Sequence, residues 1–181
     1  MNDKNFVLVR SPKELIEKGQ IGYGWEVDFS KYDNANSLIE DIDKKCGIGR
    51  KRKQVERYFN LKENDIVIVP LSGAIVIAEV IGEKSFQLNP DIKFSENRVT
   101  VEYLSDKEGG VYYIPRKSLS TELQSRLKLR MSVASLNDFS EEIEKHVESL
   151  KKEEQLYSCS LFIYSLIDTF CLCIIVKYDK F

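Results

Sequence analysis

The strongest hydrophobic signal in the chain is a pair of β-branched runs. Asp65-Ile66-Val67-Ile68-Val69-Pro70 and Ala74-Ile75-Val76-Ile77-Ala78-Glu79-Val80-Ile81-Gly82 flank a Ser72-Gly73 turn and predict a hairpin. Both arms are almost continuously apolar, so the hairpin is expected to be buried on both faces, as in the middle of a barrel. Arg98 to Leu104 alternates polar and apolar residues and predicts another strand, with a shorter one over Val111-Tyr112-Tyr113-Ile114. Gln20 to Val27 alternates large and small residues and reads as an early strand, and residues 132–136 read as a last one.

Helical spacing fills the intervals between these strands. Ser11-Pro12-Lys13-Glu14 predicts a short helix with Ser11 as N-cap and Pro12 at its first position, ending at Gly19. Asn36 or Ser37 can cap a helix carrying Leu38, Ile39 and Ile42, and Lys51 to Asn60 presents Val55, Tyr58 and Phe59 on one face. Short helical turns are expected through residues 118–129. Asp138 followed by Glu141 has capping-box spacing and opens a charged helix with Phe139, Ile143, His146, Val147 and Leu150 along one stripe. Together these patterns predict an α+β fold: a small, partly open β-barrel flanked by short helices, with a C-terminal helix and an apolar tail. The implied divisions are a domain over 1–137, the charged helix over 138–155 and the tail over 156–181.

Composition narrows the chemistry. The chain has 181 residues, enough for one domain with a sizeable core, and 43% hydrophobic with 31% charged residues marks it as globular. A single histidine, His146, leaves little for a histidine-based triad or a multi-histidine zinc site. Cys46, Cys159, Cys171 and Cys173 lack paired CxxC spacing, and the first ten residues carry no secretory pattern. Free thiols in a reducing cytoplasm are the expectation. Residues 156–176 are apolar apart from serines, Thr169 and Asp168, long enough to span a bilayer. A membrane anchor, a segment pairing with another domain or subunit, and a truncation remnant all remain open for it.

No catalytic constellation emerges. Asp65 and Glu79 sit on paired strands as in metal-dependent nucleases, but Ile81 occupies the position where the lysine of that motif belongs. Asp91-Ile92-Lys93 carries an acid and a lysine with no second such triplet at a fitting distance. Phosphate-loop, dinucleotide and nucleophile-elbow patterns are missing from the sequence. The expectation is a non-enzymatic chain with no cofactor and no metal.

The positive features are a basic cluster and an aromatic pair. Residues 44–57 read KKCGIGRKRKQVER, seven basic residues and one acid on a chain of net charge −2. Arg50, Lys51, Arg52, Lys53 and Arg57 are candidate phosphate-binding residues, with Arg50, Lys53 and Arg57 on one side of a helix start. Arg116-Lys117 and Arg126, Lys128, Arg130 could extend the positive surface. Tyr23 and Trp25 fall on one face of a strand beside Gly22 and Gly24, where a flat ligand could approach the backbone and stack. Against this stands ordinary core packing for the aromatics and a solvated helix face for the cations.

The order of these motifs resembles a known family. Gly22-Tyr23-Gly24-Trp25 precedes Gly47-Ile48-Gly49-Arg50; a helix ending in Tyr58-Phe59 leads to Lys62, Asp65, Val67 and Pro70. A glycine turn, Val80 and Gly82, and Arg98 to Tyr103 follow. Over about residues 6–137 this is similar to the PUA-like/EVE-like domains at the N-termini of Mrr-type and McrB-type modification-dependent restriction proteins. The resemblance implies a small β-barrel that holds a modified base, flipped from DNA, in an aromatic pocket. Trp25 and Tyr23 would line that pocket, Ile48 and Gly49 with Arg50 would contact the base edge or its phosphate, and Arg98 and Tyr103 would close the far wall. Arg50 replaces the family's asparagine, and Tyr103 replaces its tryptophan. Implied partners are DNA carrying modified bases and a nuclease or GTPase subunit. An RNA-binding YTH/PUA-like module and a protein-interaction domain without nucleic-acid binding remain the alternatives.

Overall fold

β-Branched alternation in the first strand already sorts its side chains into two cores. In the computed structural model, which describes residues 4–88 and 90–152, β1 (Phe6–Val9) sends Val7 and Val9 into one apolar cluster and Phe6 and Leu8 into the other. β3 (Ile66–Pro70) and the first half of β4 (Ala74–Phe86) divide in the same way. Val67, Val69, Val76 and Ala78 face the first cluster, and Ile66, Ile68, Ile75 and Ile77 the second. The expected burial of this hairpin on both faces is what the structure has. Its cause is a sheet with a helical layer on each side, rather than a barrel interior.

The remaining strands are β2 (Gln20–Tyr23), β5 (Asn97–Tyr103), β6 (Ile114–Pro115) and β7 (Val133–Ser135). They assemble with the first set into one seven-stranded sheet of order β2-β5-β4-β3-β1-β7, with β6 also on β4. Only β1 and β3 run parallel. The ladder begins at β2 and ends at β7 without joining them, so the sheet is open where the sequence suggested a barrel. β4 continues past Gly82 to Phe86 by a register shift between Val80 and Lys84, a bulge that the glycine and the exposed Ile81 accommodate.

One layer is α1 (Ala35–Cys46) and α2 (Arg52–Phe59), which bury Leu38, Ile39, Ile42, Val55 and Tyr58 in the first cluster. The other is α3 (Thr121–Leu127) and α4 (residues 140–152), which bury Leu123, Leu127, Ile143 and Val147 in the second. The stripe foreseen along α4 thus meets the sheet, with His146 half-buried beside it. The two α3/α4 starts are linked: Ser120 caps α3 by accepting from Leu123 N–H, and its own N–H and hydroxyl donate to Glu142 at 2.7 and 2.6 Å.

Several boundaries differ from expectation for local reasons. Ser11 does not cap a helix; its hydroxyl accepts from Gly22 N–H at 2.8 Å, and only a 3-10 turn (Lys13–Leu15) forms before Gly19. Asn34, two residues earlier than expected, caps α1 by accepting from Ser37 N–H. Asp138 lies inside a 3-10 turn (Asn137–Phe139) and makes no capping box. The strand expected over 111–114 shrinks to a bridge between Ser105 and Val111, followed by β6. The tail over 156–181 lies outside the described residues. No helix among those described is long and apolar enough to cross a membrane.

Candidate functional site

Two cavities of similar size meet the residues singled out in the sequence. The first, about 480 Å³, is lined by Asn5, Lys53, Glu56, Arg57, Asn60, Asp65 and Asn137 among others. The second, about 450 Å³, is lined by Gly24, Trp25, Glu26, Val27, Lys45, Cys46, Phe94 and Glu96. The basic cluster is therefore divided between two places.

Gly47 starts the division. At φ +70° it ends α1, its N–H bonds Asp43 O, and the Asp43 carboxylate accepts from Ile48 N–H at 2.9 Å. The chain then enters a 3-10 turn (Gly49–Lys51) that runs directly into α2. Lys51 leans over the Trp25 ring with Nζ 5.5 Å from its centroid. Lys53 and Arg57 line the first cavity together with Glu56 and Asp65. Arg50, Lys51, Arg52 and Lys53 are exposed, and Arg57 is half-buried.

At the first cavity the buried acid is matched. Asp65, 1% exposed, accepts from Asn5 N–H at 2.9 Å, Asn5 Nδ2 at 3.1 Å and Lys62 N–H at 3.1 Å. It fixes the entry of β1 beside β3. Glu79, on the neighbouring strand, faces Lys151 at 3.6 Å. The two carboxylates that would make a nuclease pair are thus each occupied by the fold. No group of three or more His, Cys, Asp or Glu among the described residues is arranged to hold a metal ion.

The Trp25 cleft is built differently. β2 stops at Tyr23, so Tyr23 and Trp25 do not share a strand face. Tyr23 is only 6% exposed and packs against Phe29 and Tyr58, edge-on to Trp25 at 6.3 Å. Burial raises its hydroxyl pKa, with the Trp25 indole opposing part of that rise. The glycines beside them make room for the protein's own loop, not for a ligand. A β-carbon on Gly24 would fall 2.7 Å from Phe94 Cα, and one on Gly22 2.8 Å from Ser95 Cβ.

That loop carries the residues the sequence reading missed. Phe94 is 73% exposed at φ +60°, a left-handed conformation uncommon for an aromatic residue. Arg98 holds the loop from behind, donating to Ser95 O at 3.0 Å and Ser95 Oγ at 3.3 Å. Arg98 does not line the cleft itself. Asn97, buried, fastens the opposite side: its Nδ2 donates to Trp25 O and Val27 O, both at 3.0 Å, and its Oδ1 accepts from Phe29 N–H at 2.9 Å. Trp25 and Phe94 are thereby presented from two segments tied to the same end of β5.

Of the residues expected to form a base pocket, Trp25 alone lines this cleft. Ile48 is a core residue, Gly49 is exposed at φ +51°, and Tyr103 is 9% exposed with its hydroxyl donating to Gln20 O at 2.9 Å. Burial pushes the Tyr103 hydroxyl well above the usual phenol range, and its bond ties β5 to β2. The signal available for Phe94 was an isolated aromatic in the polar stretch 89–96. For Glu96 and Cys46, only the folded arrangement supplies one.

Three buried polar atoms meet beside the cleft without a well-formed hydrogen bond, and one of them, the Tyr23 hydroxyl, lies close enough to the Trp25 indole to be influenced by it. Trp25 Nε1 and Glu96 Oε2 are both buried and without a hydrogen bond. Leaving such a group unmade costs about 1–3 kcal/mol. A flat stacking surface, an unfilled acceptor and a lysine over the ring suit an aromatic heterocycle with N–H groups on its edge. No protein-family model matches the chain, and no curated protein or solved structure does.

Proposed function

We propose that the chain is a non-catalytic nucleic-acid-binding module that reads a modified base in DNA, of the PUA-like/EVE-like kind that serves restriction and defence. The observation that carries this reading is the Trp25 cleft with its buried, unpartnered Glu96 oxygen and the exposed Phe94 beside it. A base turned out of the duplex stacks on Trp25 and donates an exocyclic amino or ring N–H to Glu96. The cost of extraction, a few kcal/mol, is offset by this stacking and by phosphate contacts from the exposed Arg50, Lys51, Arg52 and Lys53.

The test is a binding panel: duplexes with 5-methylcytosine, hydroxymethylcytosine or 6-methyladenine, their unmodified counterparts, and RNA, each at two salt concentrations. One modified duplex is expected to bind at least tenfold tighter than its unmodified counterpart at both salts. Equal binding of all duplexes overturns the reading, and a preference for RNA transfers it to an RNA module.

A further inference from the structure

A second basic surface lies on the α3 side of the sheet, where β1 ends. Arg10, Arg116, Lys128 and Arg130 line a cavity of about 470 Å³ together with Leu127, and no acid lines it. The four do different work. Arg10 is spent on the backbone: Nη2 donates to Leu127 O and Leu129 O, both at 2.8 Å, and Nε to Met131 O at 3.0 Å. Leu127 closes α3, so Arg10 answers the carbonyl end of that helix, and its bonds to Leu129 and Met131 hold the segment that follows.

Arg116, Lys128 and Arg130 are left over. No carboxylate among the described residues pairs with any of them. Arg116 Nε is buried with no hydrogen-bond partner. Its charge also lies near enough to Arg10 to help lower the pKa of that guanidinium, after burial itself. Like charges gathered around one concavity repel each other, and an unmade buried guanidinium N–H adds to that cost. An anion in the cavity removes both penalties.

We propose that this cavity is a phosphate-binding site, in which Arg116 Nε, Lys128 and Arg130 hold the oxygens of a phosphate group while Arg10 supplies a fixed positive wall. Arginine in numbers, with one N–H directed and the rest flexible, suits a phosphate monoester or diester better than a carboxylate. The site is also joined to α2. Gln54, one turn after Lys51, accepts from Ser132 and Val133 N–H, and Ser132 O accepts from Arg10 N–H at 2.8 Å. A phosphodiester backbone would use the site as a second anchor besides its contacts at the Trp25 cleft, while a free phosphate ester would use the site alone.

Thermal unfolding of the full chain, in phosphate and in chloride at matched ionic strength, tests the site. The wild type is expected to gain Tm with inorganic phosphate, and Arg116→Gln and the exposed pair Lys128→Gln/Arg130→Gln to lose that gain. Indifference of the wild type to phosphate overturns the proposal, and so does an equal gain in the paired variant. Trp25→Ala keeps the gain, which separates this site from the base cleft. A DNA duplex then distinguishes the source. If the site takes the nucleic-acid backbone, the paired variant lowers the slope of log K against log salt by about 2. An unchanged slope assigns it to a free phosphate ester.

Discussion

Asp65, buried, and Glu96, half-buried, are two acids beside cavities of nearly equal volume, about 480 and 450 Å³. Around Asp65 every demand is met: three N–H groups reach its oxygens, and Lys53 and Arg57 sit across a cavity that also holds Glu56. Around Glu96 one oxygen is buried and unmatched, beside an unmatched indole N–H and an exposed Phe94 in a left-handed conformation. The difference separates a joint of the fold from a cleft where the fold leaves polar atoms unmatched. Charge density alone points to the first cavity, because two cations of the basic cluster line it. Hydrogen-bond satisfaction points to the second.

Substitutions can break this contrast, beginning with the largest effect. Asp65→Ala strands three N–H donors at the junction of β1 and β3, and should cost about 3 kcal/mol in urea unfolding. Base preference, measured where the variant remains folded, should not change. Trp25→Ala should lower affinity for the preferred modified duplex by about 2 kcal/mol, roughly thirtyfold, with binding to unmodified DNA little altered in the same titrations. Should Trp25→Ala instead lose stability and keep its preference, the cleft is packing.

Glu96→Gln sharpens the comparison further. It removes a charge with an unfilled acceptor, so unfolding should show equal or greater stability while modified-base binding weakens by about 1 kcal/mol. Asp65→Asn, the matching change at the satisfied acid, should destabilise. The smallest effect belongs to Lys53→Ala. Fluorescence anisotropy across a salt series should show all duplexes weakened alike and the salt slope reduced by about 1.

The parts legible in the sequence were those set by short-range pattern. The β-branched runs at 66–70 and 74–80 specify a doubly buried hairpin, and the spacing of Leu38, Ile39, Ile42 and of Val55, Tyr58 specifies the helices above it. Long-range contacts decided the rest. Ser11 looked like a helix cap, but Gly22 N–H, eleven residues on, claims its hydroxyl. Gly22 and Gly24 looked like access for a ligand, and their open side is filled by the loop carrying Phe94 and Ser95. Tyr103 and Ile48 matched a motif by position but are held in the core by β-sheet register and helix packing. Trp25 was legible because it is the sole tryptophan beside a basic segment; Glu96 was not, because its burial and the lack of a partner for its oxygen arise only on folding.

Because the chain contains a single tryptophan, its emission reports directly on the proposed stacking surface. Titrating the protein with modified and unmodified duplexes of one sequence, while anisotropy of a labelled duplex reports total binding, isolates the event at Trp25. The account predicts saturable quenching of Trp25 emission by the modified duplex, at the concentrations where anisotropy rises, and little quenching by the unmodified one. Binding of both duplexes with Trp25 emission unchanged would contradict it.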